Sequence, residues 1–372
     1  MEPYEDLIRW GKEKGINMNG IKPLTMPGRG TGVVATRNLH AGETLLLVPN
    51  RALRSLHNVP QSIIDVLPKE SSLHALLAAY VTLYQDSDFA IWNTSFPPLS
   101  SFDSAPLVWP QELQALLPHA AKDLLTKQQL KFDRAWSAFY KAFPTISHEN
   151  YLHSWLLVNS RSFYYTTTKM RRFPHDDRLA LLPIADLFNH SDRGCETKFS
   201  TQNYKIIADR EYSTGEEVYF CYGGHSNDFL LIEYGFILSE NIWDAVPLDE
   251  LVLPLLSKDQ KEILNDNAFL GNYTLDRNNA GCFRTQVALR MLCCSLMQWQ
   301  SFVDAEDDGE ASQRQVDNLL LTCLEKYSIK IHQSLKHIDA LEAGDESSRE
   351  LLRRRWKQIQ DMVTHTIKRL NT

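Results

Sequence analysis

No C-x-x-C pair occurs among the six cysteines, Cys195, Cys221, Cys282, Cys293, Cys294 and Cys323, and no Cys/His cluster has zinc spacing. That argues against a structural metal site and against disulfides, and scattered cysteines of this kind read as small buried hydrophobes. No apolar run reaches the length of a membrane span. The opening MEPYEDLIRWGKEKG is charged where a secretory leader would be apolar. A basic excess is missing as well: 39 Lys and Arg face 46 Asp and Glu, a net charge of -7. This excludes a domain-wide basic face, and with it a general nucleic-acid binder. The expectation is a soluble protein, cytoplasmic or nuclear, with no metal, membrane or nucleic-acid partner and with a monomer favoured. LLRRRWK is too short to count as an import signal.

What is present is a chain of 372 residues, 43% hydrophobic, long enough for a sizeable core and about two domains. Residues 4–14 read as a short amphipathic helix. Val33 to Thr36 and Thr44 to Val48 read as strands joined by a turn through His40-Ala41-Gly42. From about residue 60 to 165 the pattern is helical, as in SSLHALLAAYVTLYQ, which Ser71 or Ser72 caps. TTTKMRRFPHDDR (166–178) reads as an exposed loop. Strands return in CETKF, YKIIAD and EEVYFCY, and beyond about residue 247 the pattern is helical again, notably in CFRTQVALRMLCCSLMQWQSF and a final basic amphipathic helix. The order strands, helices, strands, helices predicts an α+β domain with a helical insertion, followed by an all-α domain. The sheet must then be completed across the insertion.

One stretch stands out. LLPIADLFNHSD (181–192) runs from apolar residues into a cluster of Asp186, Asn189, His190, Ser191 and Asp192. Such a cluster either caps a chain reversal, with His190 satisfied in the core, or walls a pocket. The amide of Asn189 and the ring of His190 both donate and accept, which suits an adenine edge or a ribose. Gly28, Gly30 and Gly32 superficially suggest a phosphate loop, but they precede strand-like sequence where a dinucleotide fingerprint opens a helix. A tight turn is the plainer reading. Arg161 is either an ordinary helix-end arginine or a bidentate partner for a carboxylate.

Three separated segments together resemble one family. GRGTGVVATRNLHAGETLLLVP, LLPIADLFNHSD and GEEVYFCYGGHSNDFLLIEYGF are similar to the opening strands, the N-H-S segment and the closing tyrosine segment of SET-domain methyltransferases of the Rubisco large-subunit type. The resemblance implies a SET-domain β-fold with a pseudoknot, interrupted by an α-helical insertion and followed by an all-α C-terminal domain. Its parts would be residues 1–60 and 176–246 for the SET domain, 61–175 for the insertion and 247–372 for a helical substrate-binding domain. It implies S-adenosyl-L-methionine as cofactor, held by the backbone of Arg29, Gly30 and Thr31, by Arg161, by Asp186, Leu187, Phe188, Asn189 and His190, and by Tyr222, Tyr234, Gly235 and Phe236. Tyr222 and Tyr234 would be the catalytic pair.

Methyl transfer makes particular demands. The acceptor amine must lie in line with the S–CH3 bond, a proximity effect of roughly 7–11 kcal/mol. It must also be neutral, whereas free lysine has a pKa of about 10.4. A narrow aromatic channel disfavours the ammonium by desolvation and still orients the arriving cation. A tyrosine of ordinary pKa about 10 is not ionised at neutral pH, so Tyr222 orients and is not a simple base. The implied activity is S-adenosylmethionine-dependent N-methylation of a lysine on a protein substrate. Rival readings are a histidine or small-molecule amine acceptor, and a non-catalytic SET scaffold that binds proteins.

Overall fold

Helix α1 (Glu5–Glu13) buries Leu7 and Trp10, the apolar side its spacing predicts. The computed structural model describes residues 4–27, 30–85, 88–276 and 281–371. Two units are resolved: residues 1–103 with 126–224, and residues 104–125 with 225–372.

In the first unit, β1 (Asn17–Met18), β2 (Ile21–Met26), β3 (Gly30–Ala35) and β4 (Thr44–Pro49) follow α1. The expected hairpin between the second pair does not form. β3 pairs antiparallel with β2, from Ile21↔Ala35 to Met26↔Gly30, while β4 pairs with β1 and with β8 (Asn203–Ile207). β2 is hard to read because Pro23 interrupts IKPLTM, and proline is confined to edge strands. The helical block of the sequence comprises α2 (Gln61–Val66), α3 (Leu73–Leu83), α4 (Ala90–Asn93), α5 (Gln111–Gln114), α6 (His119–Ala142) and α7 (His148–Arg161), of which α5 and residues 119–125 of α6 belong to the second unit. Ser72 caps α3 by accepting from Ala75 N at 3.1 Å.

The polar segment 166–178 is more structured than a solvated loop. Met170 and Phe173 are buried within it. The Asp177 carboxylate accepts from Leu73 N and His74 N at 2.6 and 3.0 Å, adding to the α3 cap. The short strands β5 (Ser162–Tyr164) and β6 (Leu179–Leu181) pair across this segment. β7 (His190–Phe199) and β8 (Asn203–Ile207) then complete the sheet β1-β4-β8-β7, with Leu47 opposite Lys205. The sheet is thus closed across the insertion, as the separated strand patterns require.

The second unit holds α8 (Asn227–Tyr234), α9 (Asp249–Val252), α10 (Lys258–Asp266), α11 (Phe283–Cys293), α12 (Leu296–Val303), α13 (Glu310–Ala340) and α14 (Glu346–Leu370), with a short β9–β10 pair (Val246–Pro247 and Thr274–Leu275). CFRTQVALRMLCCSLMQWQSF is two helices, because Ser295 caps α12 with a capping box to Gln298 and breaks the run after Cys293. The core of this unit joins Leu113, Leu117 and Leu125 to Trp299, Tyr327 and Trp356. Trp356 Nε1 donates to Leu116 O at 2.8 Å.

Candidate active site

The apolar run of LLPIADLFNHSD is β6 and its exit. A turn follows at Ile184, which has φ 68. A β-branched residue in the left-handed region is strained by about 1–3 kcal/mol and persists only where its surroundings hold it. Here Asp186 N donates to Leu182 O and Leu187 N to Ile184 O, both at 3.1 Å. Residues Ala185–Leu187 form one 3-10 turn, and His190 opens β7. The motif contains both a chain reversal and a polar strand start.

Asp186 is the anchor of that turn. Arg161, the last residue of α7, donates from Nη1 to Asp186 O at 2.5 Å, which leaves the carboxylate Oδ2 at 3.9 Å from the same nitrogen. Trp92 Nε1 donates to Oδ2 at 3.1 Å, and Oδ1 is buried without a hydrogen-bond partner among the described residues. Burial pushes the Asp186 carboxyl up to about 6, against the opposing pull of Arg161 and Trp92. Behind Trp92, Arg54 is fully buried with its guanidinium carbon 4.6 Å from the Phe89 ring centroid and 5.1 Å from that of Trp92. Desolvation lowers its pKa to about 10, so it stays cationic. Arg54 also pairs through its backbone with Leu181.

The segment EEVYFCY is not a regular strand. It changes partners along its length: Ala35 N donates to Glu216 O, Val218 N to Val33 O, Cys195 N to Tyr219 O, and Phe220 N to Asn189 O, all at 2.8–2.9 Å. It therefore leaves β3 and threads against β7, where Phe220 bridges His190 and Cys195 in parallel. A Cβ at Gly194 would lie 2.8 Å from Tyr219 O and 2.9 Å from Cys221 N, so only glycine lets the two backbones cross this closely. This crossing is the pseudoknot expected from the resemblance.

The crossing brings side chains together. Asn189 Nδ2 donates to Glu217 Oε1 at 2.8 Å, and Tyr219 OH donates to Glu217 Oε2 at 2.7 Å. Gly32 is pressed against this pair, since a Cβ there would lie 2.8 Å from Glu217 Oε1 and 3.0 Å from Asn189 Nδ2. His190 Nδ1 accepts from Tyr222 N at 3.1 Å, which places the proton of a neutral ring on Nε2. Tyr222 OH donates to Phe188 O at 2.7 Å. Burial pushes the Tyr222 phenol up to about 12, so it is a neutral hydrogen-bonding group.

Asn189, His190, Asp186, Phe188, Arg161 and Tyr222 thus form one assembly in the first unit. Leu187 and Phe188 bury their side chains and offer only backbone. Thr31 turns its hydroxyl to Tyr4 OH at 2.7 Å, leaving its backbone beside Gly30, which has φ 74 and open space around a Cβ. Arg29 lies outside the described residues, as does Gly28. Tyr234, Gly235 and Phe236 belong to the second unit, at the end of α8. Sequence reasoning missed Glu217, Gly194, Arg54 and Trp92. Of these only Glu217 carries a signal, as a carboxylate within the aromatic run EEVYFCY. A separate hollow of about 840 Å³, lined by His74, Lys131, Arg134, Trp155, Arg172 and Asp177 among others, includes none of the assembled residues. Chemistry, not volume, selects the site.

A family profile described as the SET domain matches residues 30–223, more than half of the chain.

The chain belongs to the SET-domain family.

A second profile, the ribosomal lysine N-methyltransferase 2 C-terminal domain, matches residues 244–369. The chain is 26% identical to SET domain-containing protein 4 of Mus musculus over 80% of its own length and 74% of that protein. It is 25% identical to ribosomal lysine N-methyltransferase set11 of Schizosaccharomyces pombe, over 91% of both chains. It is also 25% identical to the actin-histidine N-methyltransferase of Mus musculus over 66% of this chain and 44% of that one. In fold it is similar to the SET domain of LSMT, crystallised with lysine and AdoHcy, at a TM-score of 0.68 and 16% identity over 100% of this chain and 92% of that one. These fix the α+β SET fold with its helical C-terminal region.

Proposed function

We propose that the protein is an S-adenosylmethionine-dependent protein-lysine N-methyltransferase whose acceptor is a ribosomal protein. The observation that carries the reading is the assembly at the crossing of β7 and the closing segment, in which Asn189, His190 and Tyr222 are tied together. The residues present fit the cofactor. Among the described residues the Asn189 Oδ1 atom and the Nη2 of Arg161 have no hydrogen-bond partner, which leaves an acceptor for an exocyclic amine and a cation for a carboxylate. The bound cofactor supplies an electrophilic methyl on a sulfonium. Tyr222 holds its neutral hydroxyl beside the carbonyl of Phe188, where oxygen atoms orient a methyl or an amine without removing a proton. By resemblance Tyr234 would be a catalytic residue and Gly235 and Phe236 cofactor contacts, as would the backbone of Gly30 and Thr31.

The ribosomal acceptor is supported by the C-terminal match over residues 244–369, by full-length likeness to a ribosomal lysine N-methyltransferase, and by the net charge of -7, which suits a basic partner. A histidine acceptor is the second reading, favoured by the likeness to an actin-histidine N-methyltransferase. The test is incubation of the purified protein with tritiated S-adenosylmethionine and acid-extracted ribosomal proteins. One labelled band is expected, with label in methyllysine on hydrolysis. Asn189→Ala should abolish calorimetric binding of the cofactor while the chain stays folded. Label in methylhistidine would select the second reading. Failure of the folded parent to bind cofactor at all would leave a protein-binding scaffold.

A further inference from the structure

The second unit contains a buried ion triad that the site described above does not use. Arg355, in the middle of α14, is fully buried. Its Nε donates to Asp228 Oδ1 and its Nη1 to Asp244 Oδ2, both at 2.7 Å. Asp228 and Asp244 are themselves nearly inaccessible. Burial disfavours the guanidinium cation, but the two carboxylates outweigh it and hold the arginine above its ordinary range. The triad is imperfectly satisfied, since among the described residues Arg355 Nη2 and Asp228 Oδ2 have no hydrogen-bond partner. A buried ion pair is weak ground for stability, because an apolar replacement of the same shape is often as stable or more so. Its presence calls for a role other than stability.

Location supplies the role. Asp228 is in the first turn of α8, and the other oxygen of Asp244 accepts from Asn227 N at 2.9 Å. Asn227 bonds through Nδ2 to Leu238 O at 2.9 Å and to Gln358 Oε1 at 3.0 Å, and its Oδ1 accepts from Leu238 N and Asn241 Nδ2 at 3.1 Å. One network therefore clamps the start of α8, the returning segment 238–244 and α14. α8 is only eight residues long, and its last residue is Tyr234. At its far end Gly235 (φ 76) abuts Ser104, whose Oγ would lie 2.8 Å from an added Cβ. Contacts thus hold both ends of this eight-residue helix, the Arg355 network at its first turn and Ser104 just beyond Tyr234.

We propose that Arg355 is a positioning residue for methyl transfer: through Asp228 and Asp244 it fixes α8 and so the placement of Tyr234. The inference rests on the reading of Tyr234 as a catalytic residue. It gives the C-terminal helix a part in catalysis separate from substrate docking.

The test compares the full chain with two of its variants, each carrying 3-fluorotyrosine at position 234, and with Tyr234→Ala, which carries none. The triple variant Arg355→Met, Asp228→Leu, Asp244→Asn removes the buried charge and keeps an acceptor for Asn227 N. It should melt near the parent temperature yet lose the single narrow 19F line, and its kcat into ribosomal proteins should fall by roughly ten- to a hundredfold, the scale of a small misplacement. Arg355→Lys keeps the cation without the planar fork that reaches both carboxylates. It should show the same two changes to a lesser degree, and it decides the matter alone if the triple variant does not fold. A parent-like 19F line with parent-like kcat in whichever variant folds overturns the proposal. Tyr234→Ala is the control: if it turns over as the parent does, the reading of Tyr234 as catalytic fails, and the 19F line still reports whether Arg355 fixes position 234.

Discussion

Asp186 shows how one buried carboxyl couples the site to pH. Arg161 uses its hydrogen bond on the Asp186 carbonyl, so desolvation of the carboxylate dominates and the group keeps its proton in the folded chain up to about pH 6, against an ordinary 3.8. Because the folded pKa is raised, the contribution to stability is fully present below about pH 4 and is lost as pH rises through 6. The loss is roughly 3 kcal/mol at about 1.4 kcal/mol per unit. Asp186→Asn should therefore flatten the denaturant-midpoint profile between pH 4 and 6 and gain on the parent above pH 6. Parallel profiles for the two proteins would show that Asp186 is ionised throughout. Tyr222 is the opposite case: its phenol, pushed up to about 12, leaves no titration of its own in the neutral range.

At the scale of elements, the crossing at Gly194 is the feature on which the assembly depends. A Cβ there meets backbone, which cannot step aside as a flexible side chain does. Gly194→Ala should cost about 1–3 kcal/mol of stability as an overpacking substitution. It should also weaken cofactor binding more than Gly42→Ala, where an added Cβ meets nothing within 4 Å and the only cost is backbone strain at φ 81. Titration calorimetry with thermal melts checks both, and parent-like stability and cofactor binding in Gly194→Ala would refute the crossing. Elements of this kind were unequally legible. Helix α3 and its serine cap were read from SSLHALLAAYVTLYQ, because spacing and capping are local. β2 was not, because Pro23 hides a strand that pairs as an edge. The closing segment reads as a strand by composition, yet it pairs with two different strands in turn, and no local pattern carries that.

For the whole molecule, the segment 104–125 matters most. It falls inside the stretch that sequence assigns to the helical insertion, but Leu113, Leu117 and Leu125 are buried with the C-terminal helices, and Gly344 is packed on Leu113. A fragment of residues 225–372 alone leaves that apolar surface uncovered. It should lack a cooperative thermal transition and bind a hydrophobic dye. Adding residues 104–125 in the same chain should restore the transition. A cooperative melt of the fragment without them would show that the C-terminal helices form a self-sufficient core.

By itself the sequence determined what is local or periodic. It placed the helical and strand blocks in order and the capping serines, and three of its segments resemble those of a SET domain, a resemblance that implies Asn189, His190 and Tyr222 as one group. Tertiary structure decided what depends on distance between remote backbones: that Asn189 donates to Glu217, that Asp186 is held by Arg161 and Trp92, that Gly32 and Gly194 permit close approach, and that Arg355 grips the start of α8. The physical reason is that propensity and periodicity act over a few residues, whereas burial, shifted pKa values and paired charges exist only once segments far apart in sequence exclude water from one another.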